Sequence, residues 1–456
     1  MSPDMNLIPW IFVWLVVATV LFSVMSLKKF PTAGLLQAYW LSASVNHFFG
    51  AAIYTLPWYD RPDYAYVYQG FLLTNWGMIS FAIGNLFFSF AMIPFLRKNT
   101  TAISFAVPDE RLALTYLWLG AVLFFVVYPI LKSVPSIGLI GSSGWYLMIA
   151  GICLASVDAW RLRKGGKLIR WIFLAIFFPF VTVVSQGFMS FGVRALFTIM
   201  AFISSFYRPR WKIIAASFLF IYFGLSLYVT YFRDRSEIRE TVWYEQVSLA
   251  EKAEKFLNTL KNYELFDINN ETHLDFINQR LNQNILVGKS IEYIGSGLAD
   301  FAGGRTVGDA MIGLVPRILW PEKPVVAGGS DLVSQYTGEI FQEDTSVGIG
   351  QVMEFFVNFG FQGVVIGFFS LGVMISFFDF MAGSYLRKGN YKGFVFWFIS
   401  GMSFLQIEGS LVEISSTLAA SLISVALVNK YALGHMPERL ITVKALREFL
   451  HRRKRV

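Results

Sequence analysis

Apolar residues come in long, barely interrupted runs along this chain. Eight follow one another near 7–27, 33–56, 69–95, 112–132, 144–160, 171–189, 193–207 and 211–232, and three more lie near 351–380, 393–408 and 412–431. A helix rises about 1.5 Å per residue, so roughly 20 apolar residues cross the hydrocarbon layer of a bilayer. These runs predict an all-α integral membrane protein with about 11 spans, within a range of about 10–12. The seventh run is short, and those at 33–56 and 412–431 are moderately polar. The first does not read as a cleaved signal, because Asp4 precedes it and Lys28 and Lys29 follow it.

Between the two groups of runs the pattern changes. Residues 233–350 carry 11 basic and 18 acidic residues and form the only segment large enough to be a domain of its own. "VWYEQVSLAEKAEKFLNTLKNYELF" has helical spacing, and "NETHLDFINQRLNQNILVGKSIEYI" reads as a second helix with Asn270 or Thr272 near its cap. The expected organisation is spans one to eight in 1–232, a mainly helical loop domain in 233–350, spans nine to eleven in 351–434, and a basic tail in 435–456. The tail's "HRRKRV" would lie against anionic lipid head groups.

Composition agrees with a membrane chain. It is 55% hydrophobic and 15% charged, with a mean hydropathy of +0.54, against about a quarter charged in soluble proteins. The net charge of +8 would suit nucleic acid in a soluble protein, but its placement argues against that partner. Of 38 basic residues, 24 fall in one set of alternate loops and the tail, and only Arg61, Lys132 and Arg194 fall in the opposite short loops. Cytoplasmic loops carry the excess of Lys and Arg. The N-terminus is therefore expected outside and the C-terminus in the cytoplasm, with 233–350 extracytoplasmic. Cys153 is the single cysteine, so no intrachain disulfide forms, and the four histidines show no ligand spacing. No Walker loop, dinucleotide fingerprint, HExxH or DxD pair occurs. Neither a metal nor a cofactor is indicated.

The candidate chemistry lies on the expected outer face. "GLVPRILWPEKP", Gly313 to Pro324, holds Arg317 on an apolar turn that three prolines keep from being a long helix. Tryptophan and proline suit the interfacial layer, and an arginine there can grip phosphate oxygens bidentately; plain snorkelling to the lipid surface is the simpler account. Arg305 follows two glycines in "FAGGRT", Arg280 sits in "INQRLNQN", and Arg194 opens a short apolar run in "MSFGVRAL", where a charge needs a partner or a polar cavity. Together the four would suit an anion; separately they are scattered surface charge. Glu354, in "GQVMEFFVNFGFQG", is the first carboxylate of a span, either a helix cap or a general base. Glu408 and Glu413 lie near the connection of the last two spans and are ordinary if exposed; if buried, they need partners such as a loop arginine. His273 is expected exposed and is a further candidate.

At these residues the chain resembles the Wzy-type O-antigen polymerases, which join oligosaccharide repeat units. The likeness rests on the late outer loop, "VPRILWPEKP", "GQVMEFFVNFGFQGVVIGFFSLG" and Arg194 opening a span mid-chain, with Arg317 and Gly328 in an R-x(10)-G spacing. The architecture covers the whole chain and the specific motifs about 313–372. The resemblance implies a GT-C-like fold in the cytoplasmic (inner) membrane of a bacterium. It implies an inverting, metal-independent glycosyltransferase that polymerises undecaprenyl-diphosphate-linked oligosaccharides at the outer leaflet. Arg194, Arg280, Arg305 and Arg317 would hold diphosphate, Glu354 would be catalytic, and a flippase and a chain-length regulator would be companions. An O-antigen ligase-like glycan transferase is the nearest rival. A polysaccharide or lipid transporter is the next, for which paired broken helices in two halves would be expected.

Overall fold

A computed structural model of the chain describes residues 5–28, 31–97, 110–134, 137–207, 211–243, 248–324, 329–341 and 347–434. The basic tail, Gly328 and the arginines at 208 and 210 lie outside the described residues. The described residues form helices and turns with no strand.

Every apolar run is helical. The first eight are α1 (Ile8–Lys28), α2 (Leu35–Ala43), α3 (Tyr64–Phe95), α4 (Glu110–Leu131), α5 (Ile137–Arg161), α6 (Gly165–Gln186), α7 (Ser190–Phe206) and α8 (Trp211–Arg233). The segment after them carries α9 (Arg235–Trp243), α10 (Leu249–Lys261), α11 (Glu271–Arg280), α12 (Asn284–Gly295), α13 (Arg305–Gly313) and α14 (Gly329–Thr337). The last three runs are α15 (Gln351–Lys388), α16 (Tyr391–Met402) and α17 (Leu411–Ala432). Among the described residues six helices, α3, α4, α5, α6, α15 and α17, are long and apolar enough to cross a membrane, and the chain is a helical membrane protein.

Glycines let the central helices touch. A Cβ on Gly84 of α3 would stand 2.2 Å from the Phe369 carbonyl of α15, and one on Gly372 would stand 2.2 Å from the Phe81 carbonyl of α3. Each helix thus presses its backbone into the other's glycine, the close packing that small residues permit where no hydrophobic effect drives association.

The segment predicted as one helix over 270–294 is two. Asn270 caps α11 through Thr272 N (3.0 Å), but the chain breaks at 281–283. The reason lies in α2, whose helix continues through a π turn at Ser44–Phe48. That turn offers the Asn46 carbonyl to Gln283 N (2.9 Å) and the His47 carbonyl to Asn284 Nδ2 (2.8 Å). An asparagine side chain competes well for backbone partners, and the break docks the loop segment onto the spans. Arg61 adds a second tie, to Glu271 (2.9 Å) and Asp275 (3.0 Å).

α15 is broken as well. Phe359 (φ −142°, ψ 22°) and Gly360 (φ 61°, ψ −147°) leave the helical region, the second in a conformation essentially restricted to glycine. The interruption exposes carbonyls that residues 302–303 satisfy: Ala302 N donates to Val357 O (2.7 Å) and Gly303 N to Asn358 O (3.2 Å). Asn358 Oδ1 accepts from Gly304 N (3.0 Å), just before α13 begins. The "VNFG" read as the entry to a span is therefore a joint that seats α13.

Candidate functional site

Between Gly313 and Pro324 the prolines stop helical pairing and leave carbonyls without backbone donors. The two cations of the turn supply them. Arg317 Nη1 donates to Lys323 O (2.8 Å) and Nη2 to Pro324 O (3.2 Å). Lys323 Nζ donates to Val315 O (3.0 Å) and Gly313 O (3.3 Å). No carboxylate takes part in these bonds. Partial burial and the neighbouring Arg317 hold the Lys323 ammonium below the usual lysine pKa.

The turn closes one side of a groove of about 410 Å³. Its floor is a stripe of α17, Val412, Ser416, Ala419, Ala420 and Ile423, and its far wall is the end of α4 and start of α5, including Tyr128, Lys132 and Leu139. Arg317, Lys323 and Lys132 line it, and none of its lining residues is acidic. From Val412 to Ile423 the floor runs about 16 Å at 1.5 Å per residue. Three cations thus border a space otherwise lined mainly by small and apolar residues along a spanning helix.

The start of α17 is a different kind of site. Ser410 and Glu413 form a capping box, Glu413 N donating to Ser410 Oγ (3.2 Å) and Ser410 N to Glu413 Oε2 (3.0 Å). Leu411 N donates to Glu354 Oε2 (2.6 Å), so Glu354 caps the neighbouring helix. Arg194 is ion-paired with Glu408, and its side chain is only 12% exposed. The Glu408 and Ile407 carbonyls accept from Gly350 N (3.1 Å) and Gln351 N (2.9 Å). Glu354 is fully enclosed, and Thr306, which accepts from Asn358 Nδ2 (2.7 Å), is a further side-chain neighbour of its carboxyl group.

The four predicted arginines do not share one pocket. Only Arg317 lines the groove. Arg194 is in the ion pair at α17, and Arg305, the first residue of α13, donates to Gln335 Oε1 (3.0 Å) and Tyr336 Oη (3.4 Å). Arg280 ends α11 beside Tyr228, Tyr231 and Arg235, where burial, then Arg235, holds its pKa below the ordinary arginine value. His273, expected exposed, is buried instead. Its Nδ1 accepts from Asp267 N (3.0 Å) and its Nε2 lies 3.0 Å from Glu264 Oε1. That pairing, with Arg233 bonded to the same carboxylate group, pulls the Glu264 pKa down and folds the 262–270 connection over the ring.

Sequence reasoning did not single out Lys132, Lys323 or the α17 stripe. Two signals were present: Lys132 is one of three cations in the short outer loops, and "SSTLAAS" puts small residues along one face of a span.

No curated protein and no solved structure matches the chain. One family model does, over residues 76–432, from within α3 to the end of α17, and so across both the groove and the carboxylates around it. With that share of its length matched, the chain belongs to the family described as Domain of unknown function (DUF8712).

Proposed function

We propose that the chain is an inverting glycosyltransferase that polymerises undecaprenyl-diphosphate-linked oligosaccharides on the outer face of the bacterial cytoplasmic membrane. The observation that carries this reading is the groove: Arg317, Lys323 and Lys132 line it without a lining carboxylate, together with apolar residues of α17. A lipid diphosphate has that shape and charge. In the reaction, an acceptor sugar hydroxyl attacks the anomeric carbon of the donor glycan. The anomeric C–O bond to the diphosphate breaks, and the lipid diphosphate leaves with the electron pair. Cations preset at the leaving group stabilise the charge that develops there. The hydroxyl proton goes to a carboxylate, for which Glu354, enclosed beside Thr306 and Asn358, is the candidate. Residues 302–306, packed on Asn358 beside it, must move for a substrate to reach it. Arg194, Arg280 and Arg305 then act from their own sites on the sugar chain or on the scaffold.

The same proposal includes eleven spans, a GT-C-like arrangement, an outside N-terminus and a cytoplasmic C-terminus. The test is incubation of purified protein with lipid-diphosphate repeat units. A ladder of glycan lengths supports polymerisation, a single transfer to a foreign acceptor makes the chain a ligase, and no transfer removes the reading. For the topology, cysteines replacing the exposed Asn258 and Asn269 should react with an impermeant reagent from outside, and one at 163 should not; the reverse pattern overturns the orientation.

A further inference from the structure

The turn that carries Arg317 has two sides. Val315, Pro316, Arg317, Lys323 and Pro324 face the groove. Facing away from it are Met311 (69% exposed), Leu314 (44%), Ile318 (65%), Leu319 (75%) and Trp320 (41%), none of which lines the groove. A solvated loop has no reason to expose five large apolar side chains within ten residues while folding its two cations inward.

The depth of the turn gives the reason. α13 packs along α17, and Ser416 Oγ donates to the Gly313 carbonyl (3.3 Å). A Cβ on Gly313 would stand 2.4 Å from Ser415 Oγ, so backbone and spanning helix are in direct contact. Ser416 is five residues into α17, which places Gly313 about 8 Å past the start of a spanning helix at 1.5 Å per residue. Apolar faces of interfacial elements enter a bilayer by about 5–10 Å. We infer that residues 311–320 form a wedge in one leaflet of the bilayer, with Met311, Leu314, Ile318, Leu319 and Trp320 among the lipids and Arg317 and Lys323 screened behind them. The partner of this surface is the lipid bilayer itself. The inference stands whether or not the chain transfers glycans; it also makes the groove a lipid-side opening rather than one reached from water.

Nitroxide side chains at single cysteines replacing Ile318 and Leu319, and separately Met311 and Leu314, test it. The native Cys153 is fully buried, and unlabelled background is checked on the parent protein. The protein is reconstituted into phosphatidylcholine–phosphatidylglycerol vesicles. Nitroxides at Asn258 and Asn269, exposed in the loop segment, mark water, and one at Ile366, 65% exposed on α15, marks lipid. Oxygen is expected to relax the four wedge labels more strongly than a water-soluble nickel chelate does, as at Ile366. Nickel access equal to that at Asn269 puts the turn in water and overturns the inference. Screening from both agents means that another protein surface, a second copy included, covers the turn, and that also overturns it.

Discussion

At the start of α17 each charged group has a partner within the protein: Arg194 is paired with Glu408, Glu413 closes a capping box, and Glu354 holds the Leu411 amide. In the groove that runs down the same helix no cation has a carboxylate partner among the lining residues. Arg317 and Lys323 lean on backbone carbonyls, Lys132 faces them, and no carboxylate lines the space. Carbonyl dipoles orient a cation without neutralising it, whereas a carboxylate neutralises it. The first arrangement satisfies itself and fixes three segments to one another. The second keeps net positive charge, which only an external anion removes. The arginine whose setting in sequence demanded a partner, Arg194, found one inside the protein, and the arginine that looked easiest to explain as snorkelling borders the cavity.

The sharpest way to break this contrast is Glu354→Gln. The amide keeps an oxygen for Leu411 N, so a purely structural Glu354 predicts a melting temperature close to the parent's and retained activity. A base role predicts an equally stable protein whose turnover falls by roughly 10²–10⁴, the usual share of general base catalysis. Glycan ladders and thermal unfolding in detergent decide between them.

Arg317→Lys comes next. Lysine keeps the charge but loses the fork that reaches two carbonyls at once. Hydrogen bonds to charged groups are worth about 1.5–3 kcal/mol each, so product formation is expected to drop about 100-fold with little change in the start of α17. An unimpaired variant would return Arg317 to the membrane surface and empty the groove of its role.

On the self-satisfied side, Arg194→Met should lower stability by about 2 kcal/mol. That is less than the roughly 3–5 kcal/mol of a fully buried pair, because the Glu408 side chain is 26% exposed. The double change with Glu408→Gln should recover most of the loss. A double variant as unstable as the single one would mean that the arginine acts on something other than Glu408. Ser410→Ala is the smallest effect, about 1 kcal/mol for a lost N-cap, read as a modest fall in melting temperature with activity kept.

Much of the fold was legible because a bilayer imposes a coarse rule on composition. All eleven apolar runs are helical, and the last of the first eight ends at Arg233. What the pattern missed depends on partners far away in the chain. The split of 270–294 needed the carbonyls of a π turn more than 200 residues earlier. The break at Phe359–Gly360 needed residues 302–304 to receive it. The exposed reading of His273 failed because the 262–270 connection folds back over the ring, which helical spacing within α11 does not report.

The site divides in the same way. By itself the sequence determined that Arg317 sits on a stiff proline turn, that Arg194 needs compensation and that Glu408 needs a partner if buried, since each follows from residue type and immediate neighbours. Tertiary structure decided that Arg194 and Glu408 answer each other, that Glu354 caps another helix, and that Lys132 and Lys323 join Arg317. Charge compensation is a property of distances of a few ångströms, and those distances are set by how α4, α13 and α17 pack, over separations of 100 residues and more that local pattern does not encode.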